Sequence, residues 1–459
     1  MIPITSYSGK SVAVFGLGMS GLGTARALEA GGAVVSCWDD GEAGRAKAAE
    51  AGFNVVDLNE ADWSGFSSLI LAPGVPLTHP VPHWTVTKAL DAGVEVIGDT
   101  ELFFREHKAL GSKARLIGIT GTNGKSTTTA LVAHLLASAG RDVEMGGNIG
   151  KAVLDLEPFA DDRVYVIEFS SYQIDLTPSM HLDAAALLNV TPDHIDRHGT
   201  VENYAGVKEH IFQNMHKGQT AVIGVDDIYC QEIASRLYGD FDVQHISVEH
   251  DIKNGIRAND GVLYSVRDGE TSQLVSLIGV NNLRGSHNWQ NAAVAFALVQ
   301  SVGVSAEDIA KGFEIFPGLA HRMQEIARDG AIVYVNDSKA TNADAAAKAL
   351  SSYEEIYWIV GGVAKDGGID SLKEYFPRIV KAYLIGQAGE DFSQVLEGKV
   401  PFELSGTIEQ AVKSASLDAK VSQGVERVIL LSPACASFDQ YPNFAVRGDD
   451  FCRVVEGLL

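Results

Sequence analysis

Basic residues are scarce in this sequence: 36 lysines and arginines stand against 59 aspartates and glutamates, a formal net charge of -23. A surface of that sign repels nucleic acid and anionic membranes, both of which need clustered Lys and Arg to displace counterions. Any anionic ligand must therefore be met by a few positive groups focused inside a cleft. Cysteine is rarer still. The four, Cys37, Cys230, Cys435 and Cys452, lie far apart and form no CxxC pair, so reduced thiols of a cytosolic protein are expected. No apolar stretch approaches the ~18–20 residues that a membrane helix needs. The opening MIPITSYSGK lacks the basic segment and apolar core of a signal peptide. The expectation is a cytoplasmic protein without membrane insertion or a nucleic-acid partner. Internal repeats and low-complexity tracts are also missing.

What the chain does have is length and glycine. Its 459 residues exceed what one hydrophobic core organises, and 47 of them are glycine. Short apolar runs alternate with helical periodicity, the pattern of doubly wound α/β sheets. The fold class expected is α/β in three domains, with boundaries at 1–98, 99–317 and 318–459. In the first, the apolar run 11–15 reads as a buried strand, followed by glycines at 16, 18, 21 and 23 and a helix. In the second, 115–120, 164–169 and 184–190 read as strands and 127–139 as a helix. Residues 241–280 are more polar, and only short strands are placed there. In the third, 332–336, 356–360, 382–385 and 428–431 read as buried strands, each ending in residue types that build sites at strand C-termini.

Ile119-Thr-Gly-Thr-Asn-Gly-Lys-Ser126 is the strongest local signal. Backbone N–H groups of a glycine-rich turn, running into a helix N-terminus, cradle phosphate oxygens. Gly121, Thr122, Asn123, Gly124, Lys125, Ser126 and Thr127 form the expected loop. Lys125 would neutralise the phosphate charge, and the Ser126 hydroxyl would ligate magnesium. Ile119 stands where the full P-loop pattern has its first glycine, and a simple strand-to-helix turn is the plain alternative. A second glycine loop, Gly16-Leu-Gly-Met-Ser-Gly21, matches GxGxxG and has Asp39 about 20 residues on. It suits any nucleotide diphosphate, NAD included. Glu168 ends an apolar strand, where an acid that holds a nucleotide-bound magnesium ion is expected, or else a surface carboxylate. Asp193, His194, Asp196 and His198 follow another strand and read from pattern alone as a solvated helix cap.

TGTNGKST at 120–127, GGNIG at 146–150, EFSSYQ at 168–173 and NVTPDHIDRH at 189–198 resemble segments of the Mur ligases. HNWQNA at 287–292, GLAHRM at 318–323 and NDSKATN at 336–342 do so as well, in the same order along the chain. NDSKATN together with SPACASFDQYPNF at 432–444 resembles the D-glutamate-adding branch of that family. The resemblance implies an N-terminal Rossmann-like UDP-binding domain, a central P-loop-type ATP-binding domain and a C-terminal Rossmann-like domain. It also implies an ATP-dependent ligase of cell-wall precursor synthesis that works through an acyl phosphate, with UDP-N-acetylmuramoyl-L-alanine and D-glutamate as small-molecule partners. ATP and two Mg2+ ions are the implied cofactors. Lys208 is implied to be a carbamate that ligates metal with Ser126, Glu168 and His194, so that Lys125, Glu168, His194 and Lys208 carry the catalysis. Asn288, Asn291, Arg322 and Asp337 align with nucleotide-contacting positions. Gly18, Met19, Ser20, Asp39, Asn148 and Gln173 fall on the UDP-precursor side. His194, Thr341, Lys365, Ser437 and Phe444 fall on the D-glutamate side. A monomer is expected.

Four other readings compete. A dinucleotide oxidoreductase leaves the second glycine loop and Glu168 unexplained. A folate polyglutamate ligase shares the TGTNGKS loop yet has no need of a nucleotide-diphosphate fold at the N-terminus. A nucleotide-dependent regulatory module needs no amino-acid pocket, and a Mur ligase for another amino acid is opposed by SPACASFDQ.

Overall fold

The computed structural model describes residues 1–365 and 367–459, the side chain of Met19 excepted. Its strands form three sheets in chain order, one for each α/β segment of the sequence. Residues 1–278 and 288–314 make one compact unit, and residues 279–287 and 315–459 a second.

In the first unit, β1 (Ser11–Phe15), β2 (Val34–Trp38), β3 (Ser68–Leu71) and β4 (Glu95–Ile97) form a parallel sheet of order β2-β1-β3-β4. The switch of direction lies between β1 and β3, where an open α/β sheet makes its ligand crevice. The nine-stranded central sheet follows, with β5 (Arg115–Thr120), β6 (Asp142–Gly147), β7 (Arg163–Glu168), β8 (Ala184–Leu187), β9 (Thr220–Gly224) and β10 (Asp242–Ser247). It continues through β11 (Gly255–Asn259), β12 (Val262–Arg267) and β13 (Glu270–Ser276) in the order β13-β12-β11-β10-β9-β8-β5-β7-β6. Strands β5, β7, β8 and β9 are nearly continuous buried apolar runs, as strands covered by helices on both faces must be. The helix Asp99–Ala109 inserts Leu102, Phe103 and Phe104 into a core shared by the first sheet and the central one.

The polar stretch 241–280 contains four strands, β10 to β13. Hairpins β11–β12 and β12–β13 turn through Asp260-Gly261 and Asp268-Gly269, with φ of 48°, 76°, 51° and 85°. Two-residue loops with both residues left-handed match the twist of the flanking strands, which is why Asp-Gly occupies them. β13 is the sheet edge and largely exposed, so it carries no apolar run to read.

In the second unit, β14 (Gln324–Asp329), β15 (Ile332–Asn336), β16 (Ile356–Gly361), β17 (Ile379–Ile385), β18 (Phe402–Gly406) and β19 (Arg427–Leu431) pair in the order β14-β15-β19-β16-β17-β18. All neighbours are parallel except the β14–β15 edge pair. The helix Ala343–Ser351 packs on one face, and Ile408–Val421 with Phe444–Glu456 on the other. Since β19 inserts between β15 and β16, the loops after these three strands gather at one end of the sheet. Among the described residues, no helix is long and apolar enough to cross a membrane.

Candidate active site

The first glycine loop lies between β1 and the helix Met19–Ala30. Gly16 has φ 91°, and a Cβ there would stand 2.5 Å from the Ala72 Cβ after β3. A Cβ on Gly21 would stand 1.9 Å from the Gly16 carbonyl oxygen, so the loop closes only with glycine at both positions. Gly18 meets nothing, which leaves that side of the turn open to an approaching group. Asp39 accepts the Leu17 N–H at 2.6 Å and the Gly41 N–H at 2.7 Å. Its carboxylate thus braces the glycine turn from beneath. Ser20 lies in the first turn of the helix, its carbonyl accepting the Thr24 hydroxyl. Met19 opens that helix, and its side chain falls outside the described residues.

The phosphate loop leaves β5 at Thr120 and enters the helix Lys125–Ser138 at Gly124, which has φ 83°. A Cβ on Gly124 would come within 2.4 Å of Asn291 Oδ1. Asn291 lies on the helix Ser286–Ser301, where Oδ1 accepts the Thr128 hydroxyl at 3.2 Å and Nδ2 donates to Asn288 Oδ1 at 3.2 Å. The two asparagines therefore brace the loop from its helix side. On the other side, Asn189 after β8 accepts the Asn123 N–H at 2.9 Å and returns a bond to the Asn123 carbonyl. Thr122 is held by the Thr191 N–H and the Tyr204 hydroxyl. Lys125 Nζ donates to the Gly121 and Thr122 carbonyls at 2.9 Å each. Ser126 and Thr127 follow in the first helical turn, where free N–H groups and the helix dipole favour an anion.

β7 and β8 flank β5, so their C-terminal ends meet the loop directly. Glu168, the last residue of β7, is buried. Its Oε1 accepts the Asn148 amide at 2.8 Å, and Oε2 has no hydrogen-bond partner. An orphaned buried carboxylate oxygen beside a phosphate loop calls for a cation. The described residues contain no group of three or more His, Cys, Asp and Glu arranged for a metal. A magnesium ion fits such a sparse set, because it keeps waters and takes most of its protein-side charge from one or two carboxylates and substrate phosphates. Lys208 is buried, donating to the Gly121 carbonyl at 2.9 Å with its ammonium 4.6 Å from the Tyr204 ring centre. Burial, reinforced by the neighbouring Lys125 charge, holds the Lys208 pKa well below its ordinary value. His194 is exposed, in left-handed backbone at φ 53°, its ring beside Tyr172 and Tyr204. Gln173 accepts the Ser170 N–H through Oε1 and completes a capping box, so its oxygen is engaged locally. Asn148, expected on the precursor side, donates its side-chain amide to Glu168.

In the second unit, Asp337 follows β15 and is buried. It accepts the Met323 N–H at 3.1 Å and the Ser432 hydroxyl at 2.8 Å. Burial outweighs these bonds and the nearby Arg322 charge, raising the Asp337 pKa to about 7. Thr341, Lys365, Ser437 and Phe444 lie on the loops after β15, β16 and β19 and at the start of the helix Phe444–Glu456. Val363 and Ala436 exchange both backbone bonds, which ties the Lys365 loop to the Ser437 loop. The Ser338 hydroxyl donates to the Phe444 carbonyl at 2.7 Å. The Phe444 ring is 5.5 Å from Lys339 Nζ and 6.3 Å from the His321 ring. Ser437 is buried and Lys365 exposed.

Arg447 is the organising residue that motif reading passed over. Fully buried, it donates from Nε to the Ser338 hydroxyl at 3.0 Å, from Nη2 to the Ser338 carbonyl at 2.7 Å and from Nη1 to the Cys435 carbonyl at 3.0 Å. One guanidinium joins the loops after β15 and β19. Its sequence signal was an arginine on the inward stripe of a helix, in line with Phe451 and Val454. Asn189, the other omission, sat inside a quoted motif.

A family profile described as the Mur ligase middle domain matches residues 119–299. The UDP-N-acetylmuramoylalanine–D-glutamate ligase of Bradyrhizobium diazoefficiens is 54% identical over 459 residues, covering 100% of this chain and 98% of its own. The enzyme of the same name from Agrobacterium fabrum is 55% identical over 459 residues, covering 100% and 97%. Among solved structures, the UDP-N-acetylmuramate-alanine ligase of Thermotoga maritima superposes with a TM-score of 0.56 at 18% identity, covering 98% of this chain and 100% of that one. At that identity the likeness concerns the fold. The chain belongs to the Mur ligase family.

Proposed function

We propose that the protein joins D-glutamate to UDP-N-acetylmuramoyl-L-alanine at the expense of ATP, in cytoplasmic peptidoglycan precursor synthesis, and that it acts as a monomer. The full-length likeness to enzymes carrying that name supports the substrates. The observation that carries the chemistry is Glu168, with a buried unpartnered carboxylate oxygen on the strand next to the phosphate loop. We assign residues 1–98 to the precursor, 99–317 to ATP and 318–459 to the amino acid and nucleotide.

The alanyl carboxylate of the precursor attacks the γ-phosphorus of ATP, whose bond to ADP breaks, leaving an acyl phosphate. The amine of D-glutamate then attacks the acyl carbon, loses a proton, and phosphate departs from the tetrahedral intermediate. Two anions meet in the first step, so positioning and charge neutralisation supply most of the catalysis. Lys125 and the N–H groups of residues 121–127 orient the phosphates. Asn288, Asn291, Arg322 and Asp337 complete the nucleotide side. Two magnesium ions, one on Ser126 and Glu168 and one on His194 and Lys208, would supply charge neutralisation when bound. Lys208, whose burial disfavours the charged form, would add carbon dioxide through its amine nitrogen and release a proton, becoming an anionic carbamate. The open turn at Gly18, with Met19, Ser20, Asp39, Asn148 and Gln173, serves the UDP precursor. Thr341, Lys365, Ser437 and Phe444, with His194, serve D-glutamate.

Phosphate release from ATP, with magnesium, the UDP precursor and amino acids supplied singly, tests the reading. Release that depends on D-glutamate is expected. Release with another amino acid only would overturn the substrate, and release with none would overturn the ligase reaction.

A further inference from the structure

At the end of the central sheet opposite the phosphate loop, where β5, β8 and β9 begin, there is a cavity of about 460 Å3. His107, His181, His216, Asp183, Lys113 and Arg115 line it. β5 is six residues long, which places this cavity about 20 Å from the phosphate loop along the strand. None of the groups assigned to the ligase reaction lies there.

His107 and His181 meet in an unusual way. His107 Nε2 is 3.1 Å from the Ala114 carbonyl oxygen, and His181 Nδ1 is 3.2 Å from the Ser179 carbonyl oxygen. A carbonyl oxygen only accepts, so both of these nitrogens carry hydrogen. The remaining nitrogens, His107 Nδ1 and His181 Nε2, face each other at 3.2 Å. In two neutral rings both are lone pairs, and two lone pairs at that distance repel unless a cation lies between them. A proton or a metal ion meets the requirement. His107 is buried, and burial disfavours a charged imidazolium there. Arg115 is already paired with Asp183 at 3.1 Å, so that carboxylate is shared rather than reserved for a charged histidine.

The geometry suits a metal ion in two respects. Nitrogens 2.0–2.1 Å from a tetrahedral ion lie about 3.3 Å from one another. Metal-bound histidines also characteristically donate their second N–H to a backbone carbonyl, which fixes tautomer and ring direction. Both rings do so here. The rings are further held in place by Phe159, 5.2 Å from His107, and Phe104, 5.1 Å from His181.

We propose that His107 and His181 form a two-imidazole site for a borderline divalent transition ion, of the class of Zn2+, Ni2+ or Cu2+, with water filling the other positions. Imidazole selects these ions over magnesium, which prefers oxygen. The ion would clamp the last turn of the helix Asp99–Ala109 to the segment 177–183 that leads into β8.

The test uses full-length protein stripped by chelator and held in millimolar magnesium. Titration calorimetry with zinc chloride is expected to show one equivalent bound, with affinity falling at least tenfold in His181→Gln, since losing a direct ligand costs no less than the about 10–100-fold lost with an outer-shell partner. His181 is only partly buried, so this variant is expected to fold, and circular dichroism checks it. A measurement independent of any variant is paramagnetic resonance of the wild type with one equivalent of Cu2+, where two equatorial imidazole nitrogens are expected. Absence of stoichiometric zinc binding, undiminished binding in folded His181→Gln, or 15N imidazole spectra showing a shared proton retained at pH 7.5 with equimolar zinc would each overturn the proposal.

Discussion

Replacing Arg447 by methionine keeps most of the side-chain length and removes the fork that joins the loops after β15 and β19. The magnitude follows from opposing contributions. No Asp or Glu among the described residues pairs with Arg447, and burial lowers its pKa from 12.5 to about 10. Each pKa unit corresponds to about 1.4 kcal/mol, so burying the charge costs about 3 kcal/mol. Against this stand three hydrogen bonds from a charged donor, at about 1.5–3 kcal/mol each. The balance favours the wild type by about 1.5–6 kcal/mol, and methionine also leaves the Ser338 and Cys435 carbonyls buried without this donor. Chemical denaturation should therefore show Arg447→Met destabilised by that amount. The functional readout is sharper. Ser437 and Phe444 lie on the segments Arg447 holds, so KM for D-glutamate should rise about tenfold or more, a change of ~1.4 kcal/mol. KM for the UDP precursor should stay within about twofold, since its residues lie in the other unit. A folded Arg447→Met protein with wild-type stability and wild-type KM for D-glutamate would refute the reasoning.

Gly124→Ala should abolish ATP binding and lower stability by about 1–3 kcal/mol, because φ 83° is unfavourable for alanine and its Cβ would lie 2.4 Å from Asn291 Oδ1; calorimetric ATP titration checks it. Asn148→Ala frees Glu168 Oε1 and should lower kcat about 10–100-fold while raising the magnesium concentration needed for half-maximal rate, measured by phosphate release. His198 is pushed down to about 4, first by burial and then by the His194 and Lys208 charges. A base lowered in the folded state contributes stability that is complete above its unfolded pKa of about 6.5 and is lost as pH falls toward 4. His198→Gln should flatten the melting temperature over that window, with His287, also lowered to about 4 by burial, accounting for part of the remaining slope.

Apolar run length and glycine position by themselves determined the three α/β segments. Buried parallel strands such as β5 and β15 are continuous apolar runs whatever surrounds them, so 115–120 and 332–336 stand where they were expected. Strands β10 to β13 escaped that logic because the edge of the sheet is half exposed and polar. Their local signal was the pair of Asp-Gly turns, which rests on backbone conformation rather than burial. The glycine loops were legible for a related reason: left-handed φ and close backbone approach exclude other residues, so position alone reports geometry. Only the tertiary structure decided which side chains act on which. Asn148 holds Glu168 across 20 residues and Arg447 reaches Ser338 across 109, and the lone pairs of His107 and His181 meet across 74. Partnerships of that kind depend on which strands neighbour one another and on where their ends converge. Hydrophobic period carries no record of either, since it reports burial and not the identity of the neighbour.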